Sequence, residues 1–277
     1  MIGVLAGLSE AGLDVTDADV IIGTSAGATA AAQVGGALPT QLLADILAAV
    51  PPPQRTDPGR PERRGPAPVT DYLERTNRII ADAADAADMR RRLGAAALEL
   101  EAASDGSAQT RWRTTVAGRL PSPDWPQRPL LLTAVDARTG ESVVFDRSSG
   151  VDLVDAVAAS CASGFGVPPY GIGDRRYLDG GYRRNENADL AAGYARVLVL
   201  SPLGGRTRMP LEWGMQLAAQ VEELRAGGSR VETILPDSSS LTAFGSNLMD
   251  LTRRTPAARA GYDQGRSVSD QLAAFWR

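Results

Sequence analysis

The segment Ile21-Ile22-Gly23-Thr24-Ser25-Ala26-Gly27-Ala28 sets a serine between two glycines directly after an apolar run. A serine hydroxyl is a weak nucleophile until a neighbouring base takes its proton, so a reactive Ser25 requires an acceptor within hydrogen-bond reach. Gly23 and Gly27 suit a sharp strand-to-helix turn where side chains would crowd the backbone. The helix that follows offers unpaired N–H groups, first that of Ala26, near a reacting oxygen. Gly-x-Ser-x-Gly also describes an ordinary helix cap or a phosphate-cradling turn, and the pentapeptide alone does not separate these. A P-loop is disfavoured, since no lysine follows the glycines.

The base is constrained by what the chain lacks. It contains no histidine, and every basic residue is an arginine, which stays protonated and cannot accept a proton. A Ser-His-Asp triad is therefore excluded and carboxylates remain. Asp179 stands out because Asp179-Gly180-Gly181 directly follows the strand-like Arg176-Tyr177-Leu178, and active-site groups of α/β sheets collect at strand ends. Asp136, after the apolar run from Leu130 to Val135, and Asp146, after a second such run, are weaker candidates. Each of the three is equally readable as a turn aspartate bonding its own backbone, and position does not choose among them.

These residues need a scaffold of alternating elements. Apolar spacing predicts a helix over residues 2–11 with Gly12 as its stop, a short strand at 19–22, and an alanine-rich helix from the serine turn to about residue 34. A further helix is expected at 42–50. The proline-rich 51–68 reads as a surface loop, and 71–100 as a helix interrupted at Gly94. Strands at 130–135 and 141–145 flank Arg138-Thr139-Gly140 as a hairpin, a helix covers 151–161, and strands follow at 176–178, 196–200 and 230–235. Helices are expected at 215–226 and from Pro256 onward. Strands alternating with helices predict an α/β fold of a layered sheet flanked by helices, in a single domain over 1–277.

Composition narrows the function classes. With 277 residues the chain can bury a sizeable core, and 43% hydrophobic with 22% charged residues is ordinary for a globular protein. The net charge of −4 and 5% aromatic content argue against a nucleic-acid partner. The single Cys161 excludes an internal disulfide and, with no base beside it, reads as a small buried hydrophobe on its helix. Without histidine no metal site is expected, and no cofactor is called for. No run of about 18 apolar residues is present and the start carries no basic leader, so a cytoplasmic chain is expected. Arg63, Arg64, Arg90, Arg91 and Arg92 read as a solvated face. Arg183 and Arg184, close behind the Asp-Gly-Gly turn, are candidates for a phosphate headgroup.

Taken in order, the segments resemble the patatin-like phospholipase family. The likeness rests on Gly3-Val4-Leu5 with Leu8 and Gly12, on Gly23-Thr24-Ser25-Ala26-Gly27-Ala28, on Ala159-Ser160 with Phe165 and Pro168-Pro169, on Asp179-Gly180-Gly181, and on Arg196-Val197-Leu198-Val199-Leu200. It covers residues 1–35 and 150–205 well, while 36–128 matches only as variable helical and loop material. The resemblance implies a Ser-Asp dyad with Ser25 as nucleophile and Asp179 as general base, with Gly23, Ala26 and Gly27 at the elbow and Gly180 and Gly181 in the active-site turn. It implies a lipid ester as substrate and transient contact with a membrane surface. The family also carries, just before the helix that begins here near Ile2, a strand and a glycine-rich loop supplying oxyanion donors. The chain as given starts after that loop, so an upstream start is expected, with an inactive binding or scaffold protein as the alternative.

Overall fold

The computed structural model describes residues 1–49, 69–102, 106–162, 167–247 and 250–276. The loop expected at 51–68, with Arg63 and Arg64, and the motif residue Phe165 lie outside the described residues.

The centre is a mixed sheet of β1 (Ile21–Gly23), β2 (Leu130–Asp136), β3 (Ser142–Phe145), β4 (Tyr170–Ile172) and β5 (Arg175–Asp179). β1 runs parallel to β2, while β3 and β5 both pair antiparallel with β2, and β4 pairs with β5. The hairpin at Arg138-Thr139-Gly140 forms as expected, with Gly140 at φ +74° closing the turn. Strand alternation splits the two faces of β2. Leu130, Leu132 and Ala134 bury against α2 (Ala26–Gly36) and α7 (Leu153–Ser160). Val135 and its β5 neighbour Leu178 instead join a cluster with Ile80 of α4 (Val69–Asp82) and with Met89 and Leu93 of α5 (Ala86–Ala102). Nearly every residue of α7 is buried, which explains its alanine- and valine-rich sequence.

A second, two-stranded parallel sheet joins β6 (Arg196–Leu200) and β7 (Arg230–Ile234), connected through α8 (Leu217–Ala226). Read from sequence, β6 is a core strand of the layered sheet; in the structure it pairs only with β7 among the described residues. Its Val197 and Val199 pack against α8, and Ile22 of β1 packs on that cluster, so side chains rather than a hydrogen-bond ladder link the two sheets. On the opposite side Leu198 and Leu200 meet Val4 and Leu8 of α1 (Ile2–Glu10). α1 crosses α10 (Arg254–Ser267) at very short range: a Cβ on Gly3 would lie 2.0 Å from Ala258 O, and one on Gly7 2.2 Å from Tyr262 O.

Several boundaries differ from the sequence reading. The interruption expected at Gly94 falls instead at residues 83–85, between α4 and α5. Gly94 sits inside unbroken α5 because a Cβ there would be 1.9 Å from Ala137 O, so it is an inter-element contact and not a helix breaker. The helix read at 42–50 is α3 (Pro39–Ala48), which starts at a proline in its first turn. α6 (Ser107–Ala117), β4 and α9 (Ser238–Phe244) were not legible, being short or polar, while the helical tail expected from Pro256 onward forms as α10 and α11 (Ser269–Trp276).

Candidate active site

β2 acts as a ruler that aligns two distant residues. Gly23 of β1 is opposite Leu132, and Asp179 of β5 is opposite Ala134, two residues further along β2. Ser25 also lies two residues beyond Gly23, so the serine and the carboxylate arrive at the same level from opposite sides. Asp179 lies at a strand end, as read from the sequence, but that strand runs antiparallel to β2 and not parallel to it.

Ser25 adopts φ 55°, ψ −124°, a positive-φ conformation that costs a non-glycine residue strain and that a strand-to-helix elbow demands. The turn is held by Gly27 N–H to Thr24 O at 2.7 Å and Ala28 N–H to Ser25 O at 2.9 Å. Ser25 N–H donates to Ser160 Oγ at 3.0 Å, and Cys161 Sγ donates to Ser25 O at 3.0 Å. A Cβ on Gly23 would lie 2.6 Å from Ala28 Cα, so that position needs glycine. Gly27 differs from the expectation of crowding: a Cβ there meets nothing within 4 Å. Ala26 is exposed, and its N–H has no partner among the described residues.

Asp179 Oδ1 accepts Gly181 N–H at 2.8 Å, so the turn-aspartate reading holds for one of its oxygens. Desolvation raises its pKa to about 6, against the opposing pull of the Ser25 side chain and of the Gly181 amide. Gly180 leaves no room for a side chain, because its Cβ would be 2.1 Å from Thr133 Oγ1.

The other carboxylates resolve as local caps. Asp136 Oδ1 accepts the amides of Arg138 at 2.8 Å and Thr139 at 3.1 Å. Asp146 accepts from Ser148 and Ser149, whose hydrogen bonds lower its pKa. Arg183 and Arg184 are engaged within the protein. Arg183 reaches Asp189 at 2.6 Å and Asn187 Oδ1 at 2.7 Å, and Arg184 pairs with Glu223, which leaves neither guanidinium free for a headgroup. Arg91 and Arg92 pair with Asp88 on the surface as expected, but Arg90 is half-buried and donates to Gly140 O at 2.7 Å. Cys161, at the C-cap of α7, packs against the central core as a partly buried side chain, and its thiol is in addition a hydrogen-bond donor.

Asn187 is the residue that sequence reasoning missed. Fully buried in a left-handed conformation at φ 53°, its Nδ2 donates to Thr24 Oγ1 at 2.9 Å, Gly180 O at 3.1 Å and Arg184 O at 2.7 Å. It thus ties the serine turn to the aspartate turn, with Thr24 Oγ1 also 3.0 Å from Thr133 Oγ1. The one local signal is that asparagine tolerates the left-handed region. Tyr72 and Tyr182 were also missed; their hydroxyls bond each other, and burial, aided by the Asp179 charge, raises both pKa values.

A serine at positive φ in a strand-to-helix elbow and a desolvated carboxylate at a strand end thus flank β2. A profile of the patatin-like phospholipase family matches residues 1–192, and the chain belongs to that family of lipid acyl hydrolases. No curated protein matches the chain. Among the described residues no helix is long and apolar enough to cross a membrane.

Proposed function

We propose that the chain is a serine acyl-ester hydrolase acting on lipid esters through Ser25 and Asp179. The observation that carries this reading is the arrival of both residues at one level of β2, with the serine strained into an elbow and the carboxylate raised toward neutrality.

In this reading Asp179 accepts the Ser25 proton as Oγ attacks the acyl carbonyl. The tetrahedral oxyanion takes a hydrogen bond from Ala26 N–H. Collapse expels the alcohol, which receives the proton held by Asp179. Water, deprotonated in turn by Asp179, then cleaves the acyl-serine ester, releasing the fatty acid and restoring Ser25. A carboxylic acid near pH 6 is matched to this two-way proton traffic at neutral pH. Neither step calls for a metal or cofactor. The substrate class brings the site into transient contact with a lipid surface of the cytoplasm. Residues 1–277 act as one domain, a reading supported by the packing of α1 on α10.

A second reading is a family member that binds lipid or a partner without turnover. Labelling with a fluorescent alkyl phosphonate separates the two. The hydrolase reading expects a covalent adduct on Ser25, absent in Ser25→Ala and Asp179→Asn; a chain that binds the lipid but never labels belongs to the second.

A further inference from the structure

We propose that Ser160 and Cys161 are positioning residues that grip the two main-chain groups of Ser25 and hold it in its elbow conformation. Ser160 ends α7 and is fully buried, and its Oγ accepts Ser25 N–H at 3.0 Å. The next residue, Cys161, donates its Sγ hydrogen to Ser25 O at 3.0 Å and lies 3.8 Å from Thr29 Oγ1 on the first turn of α2. One peptide unit of α7 therefore clamps the residue before α2 from both sides, across more than 130 positions of sequence.

The chemistry of each side chain fits its part. Ser25 precedes α2, so no carbonyl of that helix accepts its amide, and a part-buried amide without an acceptor is costly. Ser160 supplies that acceptor with a short side chain that keeps α7 close. The cysteine must remain a thiol to donate, and burial pushes its pKa up to about 12, so it is protonated at any physiological pH. Sulfur is the weaker donor, but Ser25 O also receives Ala28 N–H at 2.9 Å and Thr29 N–H at 3.3 Å, so a soft third contact suffices. A serine at positive φ persists only where its surroundings over-determine it, and these two bonds are the long-range part of that restraint.

The clamp rests on the hydrolase reading for its purpose but not for its existence, and two measurements keep them apart. Because the chain has a single cysteine, the S–H stretching band in the infrared reports on Cys161 alone. In the folded full-length chain it is expected to be narrow and at lower wavenumber than in the urea-unfolded chain. A band at or above the unfolded position overturns the clamp, whether or not the protein labels with phosphonate. In the second measurement, Ser160→Ala is expected to lower kcat and the rate of phosphonate labelling together, on the order of 10²-fold, with KM unchanged, as for a misplaced nucleophile. Cys161→Ser, which keeps an O–H donor, is expected to retain more kcat than Cys161→Ala. Unchanged kcat in Ser160→Ala, or equal losses in the two cysteine variants, overturns the positioning role. A wild-type chain that never labels at Ser25 overturns the hydrolase reading, and the infrared band then decides the clamp alone.

Discussion

The Nδ2 of Asn187 donates to Thr24 Oγ1 across 2.9 Å, joining the residue before Ser25 to a loop eight positions after Asp179. The same amide reaches Gly180 O, so one buried side chain spans the serine turn and the aspartate turn. Asn187→Ala leaves Thr24, Gly180 O and Arg184 O with a lost donor and places alanine in a left-handed conformation. A loss of about 2–4 kcal/mol in urea unfolding is expected, with a fall in turnover beyond the unfolded fraction. A stable, fully active variant would show the network to be incidental.

The raised pKa of Asp179 has opposite consequences for activity and stability. Activity requires the carboxylate, so kcat/KM is expected to rise with pH through a midpoint near 6, measured on a soluble short-chain ester. Stability runs the other way. The folded form holds this proton more tightly than the unfolded form, so its contribution is full at low pH and is lost as pH rises through about 6. Asp179→Asn removes that penalty and keeps an oxygen for Gly181 N–H. It is expected to abolish turnover and yet raise stability at pH 8 by on the order of 2 kcal/mol, the shift being discounted for partial solvent access.

Gly180 and Gly27 make a matched pair of opposite prediction. A methyl group on Gly180 meets Thr133 Oγ1 at 2.1 Å and Thr133 O at 2.4 Å, so Gly180→Ala must displace the aspartate turn or the strand. It is expected to cost about 1–3 kcal/mol and most of the activity. Gly27 is helical and its side-chain space is open, so Gly27→Ala is expected to leave the fold intact and stabilise it by about 0.4–1 kcal/mol. Thermal melts of the two variants check both signs.

Gly94 tests whether tertiary contact overrides helix propensity. Alanine is the better helix former by about 1 kcal/mol, which would stabilise a solvated helix. Here its methyl group would press to 1.9 Å from Ala137 O at the β2–β3 turn. Gly94→Ala is expected to lower the melting temperature despite its propensity, with a stabilised protein as the contrary result.

How much of this was legible beforehand depended on how local the signal was. β6, β7 and the β2–β3 hairpin stand out because apolar periodicity and turn chemistry are written into consecutive residues. Gly94 misled because a glycine that breaks a helix and one that admits a neighbouring backbone look identical in one dimension. Asn187 left almost no trace, since two of its four partners, Thr24 and Thr133, come from segments far away in sequence.

The sequence by itself determined where a serine turn falls and which chemical type of base could serve it. Glycines around Ser25 allow a tight turn, and a chain without histidine or lysine leaves carboxylates as the candidate bases. It favoured Asp179 over Asp136 and Asp146 without excluding either, because each precedes or follows a turn in the same local way. Only the tertiary structure separated them. The pairing of β1 and β5 on either side of β2 brings Asp179 to the level of Ser25, while the amides of their own turns occupy the other two. Strand register is a long-range property, set by which faces bury together and not by any one residue's neighbours.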